Sequence, residues 1–222
     1  MMRTEKKGED MNRQTQLKAT CAALALAVIF LAPMRSFADD DSLLDQKLDR
    51  VANRIQGYLN AIDIGMKGAA RSLGATGVSG PKATAALANL CSKWPTKIIM
   101  CFTTDTAGVI KAISPASLSS YEGTDLSSIP HVKAMLSAQK PYVSGAFKMP
   151  KGEIALSYEW PVVSPKGEFI GAVASLSEPI GAIDQVIKPE LDSDASDVWI
   201  VATDGEVVYS RYHEQIGTDP KI

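Results

Sequence analysis

The chain has 222 residues, 45% hydrophobic and 22% charged, with a formal net charge of −2. That is room for one globular domain, or two small ones, with an adequate core. Residues 1–38 hold six of the 23 Lys/Arg and three of the 25 Asp/Glu, leaving 17 basic and 22 acidic residues, net −5; this excludes nucleic-acid binding, which needs clustered Lys/Arg, and no basic amphipathic helix points to a membrane surface.

Residues 1–38 have the layout of a secretory signal. Arg13 and Lys18 form a basic start, Ala19 to Leu31 an apolar centre, and Ser36-Phe37-Ala38 a small-x-small cleavage site. The apolar run falls short of the roughly 20 residues of a membrane span, and Pro33 and Arg35 close it. Cleavage after Ala38 and a periplasmic or other extracytoplasmic location are expected. The alternative is an uncleaved segment anchoring the chain in the inner membrane. Met11 offers a second start, because Met1 to Asp10 adds no signal feature. Cys21 lies inside the apolar run, not at a junction, which argues against a lipoprotein.

Export would put Cys91 and Cys101 in an oxidising compartment. Either they form a disulfide, tying the end of one helix to the start of a strand, or they are two buried thiols acting as small hydrophobes. Without a Cys-x-x-Cys pair they do not suggest metal or redox chemistry.

Ser42 to Leu73 reads as a long helix. Leu44, Leu48, Val51, Ile55, Leu59, Ile62, Met66, Ala69 and Leu73 recur every three or four residues; Asp41 or Ser42 caps the start and Gly74 ends it. At 1.5 Å per residue it runs about 48 Å. Its stripe either packs on a sheet or, in part, forms a homodimer seam. Gly74 to Gly80 is a connector: it lacks the Lys-Ser/Thr ending of a phosphate loop. Pro81 to Ser92 is a second helix, and Thr96 to Thr104 and Val109 to Ile113 are strands around the turn Asp105–Gly108.

The stretch from Tyr121 to Glu178 organises the rest. A Gly-Thr-Asp loop is followed by a helix, Pro130 to Gln139, capped by Asp125 or Ser127. Strands follow at Tyr142 to Phe147, Ile154 to Val163 and Glu168 to Leu176, joined by Met149–Gly152 and Ser164–Gly167 turns. After Pro179 come a short helix (Ile180 to Ile187), an acidic linker (Asp192 to Asp197) and a hairpin, Val198 to Ala202 and Glu206 to Tyr209, turned at Asp204-Gly205.

This stretch resembles the extracytoplasmic Cache sensor domains, a PAS-like family, of the double-Cache type. The residues that carry the likeness are Gly123-Thr124-Asp125-Leu126-Ser127, Lys140-Pro141-Tyr142-Val143-Ser144-Gly145, Pro161-Val162 and Gly167-Glu168-Phe169-Ile170-Gly171. The resemblance runs from the long helix near Leu43 to Pro179. It implies an α+β fold: an antiparallel PAS-like sheet with the long N-terminal helix packed across it. The expected layout is a signal at 1–38, a sensor domain at 39–190, and at 191–222 either an incomplete second module or a terminal hairpin. Gly217-Thr218-Asp219 repeats Gly123-Thr124-Asp125, 94 residues on.

The resemblance implies a ligand pocket between the sheet and the segments after its first hairpin. Tyr121, Asp125, His131, Tyr142, Phe147, Tyr158 and Trp160 are its candidate lining. His131 can donate to a carboxylate; the aromatic residues can enclose a solute or simply pack the sheet. Members of the family that bind amino acids carry an Arg and an aromatic pair after the loop and an Asp on the last strand. Here those places hold Ile129, His131, Val132 and about Leu176, and only Tyr142 fits. Amino-acid binding is therefore not carried over. Catalysis is not expected. There is no Gly-x-Ser-x-Gly elbow, and His131 and His213 show no metal-ligand spacing. Asp125, Ser127 and His131 are more simply helix-start residues than a nucleophile arrangement. No cofactor is expected. The expectation is a non-catalytic sensor of a small solute. No output domain follows the sensor, so it would act through an envelope receptor or kinase partner. The alternatives are a ligand-free interaction module or a truncated, anchored receptor.

Overall fold

The computed structural model describes residues 26–31, 41–93, 98–149, 152–190, 197–202, 207–210 and 216. Helix α1 covers Asp41–Thr76, 36 residues or about 54 Å. Val51, Ile55, Ile62, Met66, Ala69 and Leu73 form its buried stripe. The helix runs past Gly74, where the sequence placed its end. Gly77 stops it, with φ 91° and its N–H donating to Leu73 O at 2.7 Å. Gly74 has another reason to lack a side chain: a Cβ there would lie 2.2 Å from Val163 O. Helix α2, Gly80–Lys93, packs Ala83, Leu87 and Leu90 into the same core.

The sheet is antiparallel. It consists of β2 (Ile98–Thr104), β3 (Ile110–Ser114), β4 (Tyr142–Val143), β5 (Phe147–Lys148), β6 (Ile154–Val163) and β7 (Phe169–Ser177), following β1 (Leu26–Leu31) in the chain. Its order is β3-β2-β7-β6-β4, with β5 also on β6. Tyr142 to Phe147 is thus not one strand. Ser144 N–H still donates to Ser157 O at 2.9 Å, but the Ser157 N–H goes to Ser144 Oγ at 2.8 Å in place of a main-chain acceptor. A 3-10 turn, Ala116–Tyr121, and helix α3, Pro130–Ala138, lie between β3 and β4. The fold is therefore α+β, an antiparallel sheet with a long N-terminal helix.

Helix α4 (Pro179–Ile187) leads to β8 (Asp197–Ala202) and β9 (Val207–Ser210), which pair antiparallel. Strand β1 pairs with β8, from Leu26 opposite Ala202 to Leu31 opposite Asp197. The apolar run read as a signal centre thus contributes its second half to a three-stranded sheet. It is an edge strand there, paired on one side only. The cleavage site at 36–38 and the repeated Gly-Thr-Asp at 217–219 lie outside the described residues. Ile200, Val208 and Tyr209 join the core cluster that holds α1, and Tyr209 donates its hydroxyl to Asp184 on α4. Glu190 accepts from Arg50 and Arg54 of α1, each at 2.7 Å. Among the described residues no helix is long and apolar enough to cross a membrane.

Cys91 on α2 and Cys101 on β2 are joined by a disulfide, with Cα atoms 6.3 Å apart. The bridge closes a separation of ten residues. On loop-closure grounds, replacing both cysteines by serine should cost about 2–3 kcal/mol. Urea denaturation of the double variant against the oxidised parent measures it; an unchanged midpoint would mean that the two elements are held by packing alone.

Candidate functional site

Strand β6 divides its side chains between two faces. Leu156, Tyr158 and Val162 belong to the cluster that buries α1, and Trp160 packs against it. The residues between them, Ala155, Ser157 and Glu159, face the other way. Opposite Glu159 in register stand Tyr142 of β4 and Ala174 of β7; Ala174 in turn faces Phe102 of β2. Cross-strand partners share a face, so Tyr142, Glu159, Ala174 and Phe102 form one row. Leu176 and Met100 lie in the next row, opposite Ser157. Phe102, Met100, Ala174 and Leu176 form a second buried cluster, with Phe147, Met149, Leu118 and Leu126 packed on it.

Glu159 is the centre of this face. It is 1% exposed. Its Oε1 accepts from Ser157 Oγ at 3.0 Å and lies 3.4 Å from His131 Nε2 of α3. Its Oε2 is buried with no hydrogen-bond partner. Burial pushes its pKa up to about 7, with the Ser157 hydrogen bond pulling the other way. Burial also lowers the pKa of His131. Both groups are thus driven toward neutrality, which weakens any charge attraction across the 3.4 Å contact. The His131 ring stacks on Phe147, centroids 4.9 Å apart.

The candidate residues fall in three places. His131, Phe147 and Tyr142 come together around Glu159. Tyr121 ends the 3-10 turn, 40% exposed, and Asp125 is exposed in the Gly-Thr-Asp loop. That loop is tied to the β3 edge by Ile110 N–H to Thr124 O, Gly123 N–H to Ile110 O and a bridge from Val109 to Asp125. The β3 edge is three strand spacings from β6, about 14 Å. Asp125 does not cap α3: its carboxylate accepts the Ser127 N–H at 2.8 Å, which holds its pKa below the usual range. The N-cap is Ile129, with no side-chain bond, ahead of Pro130 in the first turn. Tyr158 and Trp160, expected as pocket walls, face α1 instead. Tyr158 is 3% exposed, and desolvation holds its hydroxyl neutral.

Glu159 is not among the lining residues expected from the sequence. A signal was available, since Glu159 is the one charged residue of Ile154–Val163.

A family model described as HK/GC/Chemotaxis protein-like, sensor domain, matches residues 57–179. The chain belongs to that sensor family. The sensor also resembles solved structures. An extracellular ligand binding receptor from Desulfohalobium retbaense is 27% identical, TM-score 0.70, over 83% of this chain and 33% of that one. The ligand-binding domain of the Pseudomonas fluorescens chemoreceptor CtaA, in complex with L-valine, is 16% identical, TM-score 0.65, over 82% and 80%. That of the Pseudomonas aeruginosa amino acid chemoreceptor PctC, in complex with GABA, is 18% identical, TM-score 0.66, over 82% and 81%. The last two bear on fold alone. The sensor spans one third of the Desulfohalobium chain. No curated protein matches it. All three solved structures are described as ligand-binding receptors or receptor domains.

A groove of about 440 Å³ lies elsewhere, between α1 and α2. Ala61, Gly65, Gly68, Leu90 and Lys93 line it, beside Ile64, which is 71% exposed.

Proposed function

We infer that this sensor binds a small extracytoplasmic solute on the face between α3, β4–β5 and β6–β7, without catalysis, and passes the signal by contact with another protein. The observation that carries this reading is the buried Glu159 carboxylate, met by Ser157 and His131 on an apolar face, in a chain of the sensor family. The Cys91–Cys101 disulfide supports an exported location. Pairing of two copies through α1, beside Ile64, belongs to the same proposal and is read by sedimentation.

Thermal melting of the protein against amines, carboxylates, amino acids and other small metabolites tests the reading. A solute at 100 times its dissociation constant should stabilise by about 2.7 kcal/mol, a shift of several degrees. His131→Ala and Tyr142→Ala should shrink that shift. A second reading, a ligand-free interaction module, is favoured by the apolar packing of Phe102, Leu176, Phe147 and Met149 on this face. A cooperative melt with no shift across the panel, and capture of an envelope protein, would select it.

A further inference from the structure

We propose that the free oxygen of Glu159 seats a protonated amine, so that the solute is a small organic monoamine with an apolar body and no carboxylate. The inference rests on the solute-sensor reading and names the ligand class. Glu159 is 1% exposed, yet only its Oε1 is engaged, by Ser157 and His131. Oε2 is closed from solvent and unpartnered. Among the described residues no Lys or Arg pairs with it. A buried carboxylate oxygen left without a donor is costly, and an ammonium supplies both a hydrogen bond and a charge.

The surroundings set the rest of the ligand. Tyr142, beside Glu159 in the row and 36% exposed, offers a ring face for a cation. Ala174 on the other side is small, and Phe102, Phe147, Met149 and Leu176 are apolar. The titratable groups facing Glu159 are His131 from α3 and Tyr142 from β4; β7 presents Ala174. None of these is a fixed positive charge. A ligand carboxylate would meet no cation, so an α-amino acid would be left with an unpaired charge. His131, 15% exposed and 3.4 Å from the carboxylate, must yield part of its contact when the amine enters.

The test titrates the full chain calorimetrically with phenethylamine, 2-phenylethanol and phenylalanine. Phenethylamine should bind, and the alcohol and the amino acid should bind about ten- to a hundredfold more weakly, as the loss of a charged hydrogen bond requires. Near pH 7, binding should release about half a proton, seen by comparing two buffers, because the amine draws Glu159 into its ionised form. Below pH 7 affinity should fall by up to about tenfold per unit, while the amine stays protonated. Glu159→Gln should weaken phenethylamine by a similar ten- to hundredfold and so remove its preference over the alcohol. If that variant fails to melt cooperatively, proton release by the parent decides. Equal binding of amine and alcohol, no proton release, or undiminished binding by the variant overturns the proposal. So does a solute from the wider panel that binds when no amine does, which leaves the sensor reading standing. Silence across the whole panel removes both.

Discussion

Replacing Gly171 by alanine should destabilise the sensor by about 3–5 kcal/mol, a large share of a domain's stability. Gly171 sits in β7, the strand between β2 and β6, at φ 141°. A side chain at that φ is strained before any contact is counted. The contact is the larger effect. A Cβ would lie 2.0 Å from Thr104 O and 3.1 Å from Thr104 C, both backbone atoms at the end of β2. No rotamer change relieves a clash with backbone, so β2 and β7 must separate. Ala172 pairs with Thr104 and Val162 with Gly171, so separation loosens pairing on both sides of β7. Gly167→Ala is the control. It has φ 83° in the Ser164–Gly167 turn but open space around it, and should cost about 1–2 kcal/mol. Urea denaturation of both variants measures the difference. Equal losses would mean that the conformation, not the close approach of Thr104, demands glycine at 171.

The long-range parts of this fold were legible where one physical pattern dominated. The stripe from Val51 to Leu73 has no competing reading at that length, and it is the buried stripe of α1. Its end was misplaced by three residues, because Gly74 looks like a stop and is instead a point of close approach to Val163. The Met149–Gly152 and Ser164–Gly167 turns followed from Pro and Gly chemistry, and each closes with a bond from Gly to the first residue, at 2.8 and 2.9 Å. The site was harder to read. Strand β6 is covered on both faces, so polarity does not reveal which phase meets α1. The aromatic phase, Tyr158 and Trp160, is the one that meets α1, and Glu159 lies on the other. The break at Ser144 depended on a partner 13 residues away, and no local propensity encodes it. The pairing of Leu26–Leu31 with β8 was likewise hidden, since an apolar run alone does not separate strand from other states.

At pH 8, Glu159→Gln should be more stable than the parent by about 2–3 kcal/mol, while at pH 4 the two should unfold alike. The argument runs through proton linkage. Burial raises the folded pKa of Glu159 from 4.5 to about 7. Between those values the folded state holds a proton that the unfolded chain has released, so stability falls as pH rises. The contribution is whole below about pH 4.5 and gone above about 7; at 1.36 kcal/mol per unit the loss is about 3 kcal/mol. His131 has the opposite sign. Burial lowers its pKa below 6.5, so its contribution is present above 6.5 and is lost as pH falls toward the folded value. In the parent the two slopes oppose each other where their windows overlap. In Glu159→Gln only the His131 slope remains, and stability should rise with pH through that window. Urea midpoints from pH 4 to 8 for both proteins resolve the two slopes. Parallel curves would mean that Glu159 ionises freely in the fold, which would remove the buried charge from the site. Diverging curves would locate in Glu159 a cost that the fold carries at neutral pH.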